Sequence, residues 1–94
     1  MIQSFADPET ERIWSGVRSR KLPSDIQGVA LRKLRLLNQA RVLDDLRVPP
    51  GNRLERLRAD RSEQYSIRVN DQWRICFVWQ DGGPAHVEIV DYHD

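Results

Sequence analysis

Residues 65–79, Tyr65-Ser66-Ile67-Arg68-Val69-Asn70-Asp71-Gln72-Trp73-Arg74-Ile75-Cys76-Phe77-Val78-Trp79, carry a hydrophobic period of two on both sides of a polar turn. Tyr65, Ile67 and Val69 alternate with Ser66 and Arg68, and Ile75, Phe77 and Trp79 alternate with Arg74, Cys76 and Val78. Successive side chains of a strand point to opposite faces, so this pattern describes two half-buried strands joined through Asn70-Asp71-Gln72. Asp81-Gly82-Gly83 supplies residues that tolerate positive φ for a second turn. Residues 86–92 then form a last strand with Val87 and Ile89 on one face, and residues 53–57 add an extended segment before the hairpin.

Upstream the period changes. Residues 2–5 suit a short strand, and Asp7-Pro8-Glu9 reads as a helix start with Asp7 at the cap and Pro8 in the first turn. The short helix that follows carries Ile13, Trp14 and Val17. After the basic connector Arg18-Ser19-Arg20-Lys21-Leu22-Pro23, Ser24 and Gln27 have the spacing of a capping box. From Ile26 the residues Val29, Ala30, Leu34, Leu37 and Ala40 recur at helical spacing, with Arg32, Arg35 and Gln39 on another face. Val48-Pro49-Pro50-Gly51-Asn52 then ends the helical half, because prolines fix φ and lack an amide donor. The expected class is α+β in the order β-α-α-β-β-β-β, as one domain over residues 1–94.

Ninety-four residues allow one compact core, and 39% hydrophobic with 31% charged residues is the mixture of a folded chain that stays in solution. No apolar run is long enough to span a membrane, and the first residues lack the basic and apolar regions of a secretion signal, so the expected location is the cytoplasm. Cys76 stands alone, and with only His86 and His93 beside it no zinc spacing exists. Neither a disulfide nor a metal or other cofactor is implied. Residues 12–61 hold 13 Lys/Arg against 5 Asp/Glu, or +8, while the remainder hold 2 against 9, or −7. Thirteen of the 15 basic residues are Arg, whose planar fork suits phosphate, although solvated helix faces account for the same count equally well.

Three ordered blocks resemble the RelE/HigB plasmid-maintenance killer toxins: Pro50-Gly51-Asn52-Arg53-Leu54-Glu55, then residues 66–77, then Val87-Glu88-Ile89-Val90-Asp91-Tyr92-His93. The resemblance covers nearly the whole chain. It implies a RelE-like fold, two N-terminal helices packed on a twisted, mainly antiparallel sheet. It also implies a toxin of a type II toxin–antitoxin system that enters the ribosomal A site, cleaves messenger RNA and so inhibits translation and growth. A HigA-like helix-turn-helix antitoxin is the implied partner, and operator DNA is contacted only through the toxin–antitoxin complex.

Cutting RNA without a metal needs a group to take the 2′-hydroxyl proton, cations to stabilise the crowded phosphorane, and an acid for the departing 5′ oxygen. Arg74 matches the family's active-site arginine; taken alone, it would suit a cross-strand ion pair with an acidic residue such as Glu88. His93 titrates nearest neutral pH, Asp91 is placed to orient it or a neighbour, and Tyr92 can stack or donate a hydrogen bond. Some members of the family it resembles carry a histidine where this chain has Glu55 and a glycine where it has Ala59. Glu55 is therefore either the replacement base or a surface charge. Arg56, Arg58 and Arg61 form a cationic rim, and Arg32 and Arg35 are candidates for ribosome binding. Phe77 and Trp79 are assigned to the core rather than to base stacking, Trp14 to packing, and Cys76 to a buried strand position. Two rivals remain, a ParE-like inhibitor of DNA gyrase and a binding-only partner of the antitoxin in operator repression.

Overall fold

The computed structural model describes residues 1–57 and 63–92. Helix α1 spans Pro8–Trp14 and α2 spans Ser24–Gln39. Two short 3-10 segments follow, Leu43–Arg47 and Pro50–Asn52. The strands are β1 (Glu55–Arg56), β2 (Gln64–Arg68), β3 (Trp73–Gln80) and β4 (Gly83–Asp91), paired antiparallel in the order β1-β2-β3-β4. This is an α+β architecture with two helices on one face of a four-stranded sheet.

The period of two produces the sheet as expected. Ile67 faces Ile75 and Ile75 faces Ile89 across the strands, and all three are buried with Phe77 and Val87. Helix α2 covers them with Ile26, Ala30, Leu34 and Leu37, whose spacing of four, four and three keeps one stripe against the sheet. Each fully buried Leu, Ile or Phe side chain contributes about 1.5–3 kcal/mol. Tyr65 stacks on Phe77 with ring centroids 6.2 Å apart, and Trp14, Trp73 and Trp79 pack partly buried around the same core. Buried Thr10 fastens α1 to the sheet, its hydroxyl accepting the Ile89 N–H at 2.9 Å.

The β3–β4 turn is the two-residue type that sheet twist favours, with Asp81 at φ 51° and Gly82 at φ 78°. Strand β4 starts at Gly83, earlier than the alternation indicates. A bulge explains this: two residues of β4, His86 and Val87, stand against Phe77, and His86 takes φ 52°.

Four local expectations change. Residues 2–5 lie beside β4 in parallel but make one isolated bridge, Phe5 to Val87, rather than a strand. Pro84 offers no amide, and the His86 N–H is taken by the Ser4 hydroxyl, so no continuous ladder can form. The chain passes so near Gly83 that a β-carbon there would sit 2.7 Å from the Met1 carbonyl. Helix α1 ends at Trp14 with Gly16 at φ 82°, which leaves Val17 outside it and exposed. At its start Asp7 takes the cap position, but its side chain makes no cap hydrogen bond. Pro23, not Ser24, is the residue before α2, so the capping box does not form. Gln27 instead donates to the Ser19 and Leu22 carbonyls and accepts the Ser19 N–H, pinning the connector.

Candidate active site

The sheet's second face, turned away from the helices, carries Ser66 and Arg68 of β2 and Arg74 and Cys76 of β3, by the same alternation that puts Ile67 and Ile75 inside. Arg74 is buried, with its side chain 10% exposed. A buried guanidinium needs partners for its donors, and two of its three nitrogens find them in the neighbouring strand and turn. Nε donates to Ser66 Oγ at 2.7 Å, and Nη2 donates to the Arg53 carbonyl at 2.6 Å and the Ser66 carbonyl at 3.4 Å. Arg53 presents that carbonyl from a left-handed backbone, φ 46°, directly after the Pro50–Asn52 turn.

Glu55 stands beside this arginine, Oε2 lying 3.9 Å from Nη2, and its side chain is 55% exposed. The ion pair is therefore with Glu55 of β1, not with Glu88. At this distance and exposure the pair adds little stability, and the hydrogen bonds to Ser66 and Arg53 set the guanidinium's position. Register also places Arg68 opposite Arg74. Like charges across strands repel, but Arg68 is paired with Asp71 while Arg74 turns toward β1.

Tyr92 follows β4 in step with Val90, the residue opposite Arg74; it is exposed, and its N–H donates to the Gln72 carbonyl at 2.6 Å. Asp91 falls in the other phase, opposite Trp73, and its carboxylate accepts from Gln72 Nε2 at 3.0 Å. Arg56 is exposed on β1. Arg32 and Arg35 are exposed on α2, in the helical layer on the far side of the sheet from Arg74. The structure thus brings Arg74 and Glu55 together, leaves Tyr92 just past the end of β4, and sets Arg32 and Arg35 apart. Arg58, Ala59, Arg61 and His93 lie outside the described residues.

Ser66, the Arg53 carbonyl and Gln72 are partners that sequence reasoning missed. Ser66 shares the phase of Arg74 in the alternation, but a serine there reads equally well as solvent-facing. Burial also gives Arg74 a structural role, since it joins β3 to β2 and to the chain before β1. Cys76 is buried, as expected.

Residues 3–93 match the family model for the RelE-like toxin of the type II toxin–antitoxin system HigB. The chain belongs to the HigB-like toxins. It is 42% identical over 83 residues to Toxin HigB-1 of Vibrio cholerae serotype O1, covering 87% of each chain. It is also 35% identical over 80 residues to an uncharacterized protein of Haemophilus influenzae, covering 84% of this chain and 79% of the other. The α+β architecture fits the RelE-like fold, and membership in a type II system implies an antitoxin partner for this HigB-like chain. Among the described residues, no helix is long and apolar enough to cross a membrane.

Proposed function

We infer that this HigB-like toxin is a ribosome-dependent, metal-independent endoribonuclease that cuts messenger RNA and is silenced by a HigA-like antitoxin. The observation that carries the reading is the fixed Arg74 guanidinium with the exposed Glu55 carboxylate 3.9 Å away. A cation held by Ser66 and Arg53 before substrate arrives needs no reorganisation as the phosphorane gathers charge. Glu55, exposed beside that cation, is assigned the role of base for the 2′-hydroxyl proton. The 2′ oxygen then attacks phosphorus and the 5′ oxygen leaves, with His93 proposed as the acid that protonates it. Tyr92 is assigned to the neighbouring base, and Asp91, held by Gln72, to positioning the chain end. Arg32, Arg35, Arg56, Arg58 and Arg61 are assigned to ribosome and RNA phosphates. The protein acts in the cytoplasm, as one domain.

The test is to map transcript ends after brief induction in cells lacking the antitoxin gene, comparing the parent with Arg74→Ala. Clustered cuts within translated regions, absent with Arg74→Ala, support the reading. DNA breaks with intact transcripts would assign the toxin to gyrase and overturn it.

A further inference from the structure

We propose that the α1–α2 connector is a second phosphate-binding surface, which grips the backbone of ribosomal RNA on the side of the molecule opposite Arg74. The proposal rests on the reading of the chain as a ribosome-bound nuclease. A cleft of about 380 Å³ is lined by Glu9, Arg12, Arg18, Arg20 and Lys21. It adjoins a hollow lined by Arg18, Ser19, Arg20, Leu22 and Ser24.

The backbone beneath these cations is held in place. Ser19 is buried, and its hydroxyl donates to Glu9 Oε1 at 2.6 Å while accepting the N–H groups of Lys21 and Leu22. Gln27 of α2 closes on the Ser19 N–H and carbonyl from the other side. The buried serine therefore acts as a post, and Arg18, Arg20 and Lys21 project around it, all exposed. Glu9, the acidic group in the cleft, is engaged by the Ser19 hydroxyl and by Arg12 at 3.7 Å. Among the described residues, no ion pair joins Arg18, Arg20 or Lys21 to a carboxylate. Holding several like charges together without counter-charges has no value for folding, but on a fixed backbone it preorganises donors for an anion.

The lining chooses between RNA and an acidic protein. Protein interfaces need an apolar, desolvated centre, whereas nucleic-acid interfaces are polar, wet and strongly positive. No apolar side chain lines the 380 Å³ cleft, and Leu22 is the one apolar residue lining the adjoining hollow. Because α1 and α2 pack on the sheet face away from Arg74, the connector would hold structured RNA while the other face meets the messenger.

The experiment measures binding of vacant ribosomes by the full chain across a potassium chloride series, comparing the parent with the triple variant Arg18→Ala, Arg20→Ala, Lys21→Ala. The three side chains are exposed, so the variant should keep the parent's unfolding midpoint. Affinity should fall about tenfold or more, and the slope of log Kd on log salt should drop by about 2, since each lost phosphate contact removes about 0.7–0.9. Cleavage at saturating ribosomes should keep the parental rate. A folded triple variant with the parent's affinity and salt slope overturns the proposal. Loss of antitoxin binding with ribosome binding unchanged also overturns it and makes the connector a protein interface. A parent that binds ribosomes but leaves messenger intact overturns the nuclease reading instead, so the two failures are distinguishable.

Discussion

Arg74 Nε donates to Ser66 Oγ at 2.7 Å, although the strand register sets Arg74 opposite Arg68 and Ser66 opposite Cys76. The side chain runs diagonally across the sheet toward β1, away from the like charge on Arg68. That course brings Nη2 to the Arg53 carbonyl and within reach of Glu55. One hydroxyl thus orients the charge on which the proposed chemistry depends.

Ser66→Ala should remove that orientation and leave a charged donor without its acceptor. A hydrogen bond to a charged group is worth about 1.5–3 kcal/mol, and stability should fall by about that much. Urea unfolding followed by circular dichroism measures it. Single-turnover cleavage by the folded variant should also be slower than the parent's, because the guanidinium is no longer fixed. Unchanged stability would show that Nε finds water instead.

Glu55→Gln separates a base from a surface charge. The side chain is more than half exposed and its contact with Arg74 is long, so the substitution should leave the unfolding midpoint within about 0.5 kcal/mol of the parent. Loss of a general base should lower the cleavage rate on programmed ribosomes about a hundredfold or more. A mild effect would assign Glu55 to the surface and leave proton removal to another group.

Asn52 is fully buried, and its amide donates to the Leu46 and Val48 carbonyls while its oxygen accepts from Lys33 Nζ at 2.5 Å. Asn52→Ala should leave those carbonyls without their side-chain donor and cost about 2–4 kcal/mol. Because the same turn delivers the Arg53 carbonyl to Arg74, activity should fall with stability. Thermal unfolding and cleavage, measured on one preparation, check both.

Asp45 gives the fold an acid-sensitive contact. Its carboxylate accepts the N–H groups of Arg41 at 2.9 Å and Val42 at 3.3 Å, and the Arg41 hydrogen bond, followed by the Val42 one, holds its pKa below the ordinary value of 3.8. A depressed carboxylate pKa means that the unfolded chain takes up the proton first. The contribution is therefore present above about pH 3.8 and is lost as pH falls through the lower, folded value. Unfolding midpoints between pH 5 and 2.5 should fall less steeply for Asp45→Asn than for the parent. Equal slopes would remove Asp45 from the acid limb.

Much of the architecture is legible in neighbouring residues, because hydrophobic period is a local property. Tyr65 to Val69 and Ile75 to Trp79 alternate, and strands form there, with Val69 just past the end of β2. Ile26, Ala30, Leu34 and Leu37 recur at helical spacing, and they line the buried stripe of α2. Asp81-Gly82 announces its turn through residues that accept positive φ. Arg74 and Glu55 stood out as candidates through the family blocks, whereas Arg18-Ser19-Arg20-Lys21 read only as a basic connector. Each of these depends on residue type or on spacing within a few positions.

What needed the folded chain was the choice of partner. Gln27 had the spacing to cap Ser24 but found the connector instead, because the chain folds back to place Ser19 and Leu22 carbonyls in reach. Asp91 meets Gln72 from 19 residues away, and Arg74 meets Ser66 from 8 and Arg53 from 21. Residues 2–5 look like a strand until Pro84 and the His86 bulge deny them a ladder. Periodicity sets which face a side chain occupies. Hydrogen bonding of a buried polar group depends on which distant donor or acceptor packing has carried to within about 3 Å, and that separation exists only once the sheet, helices and turns have closed on one another.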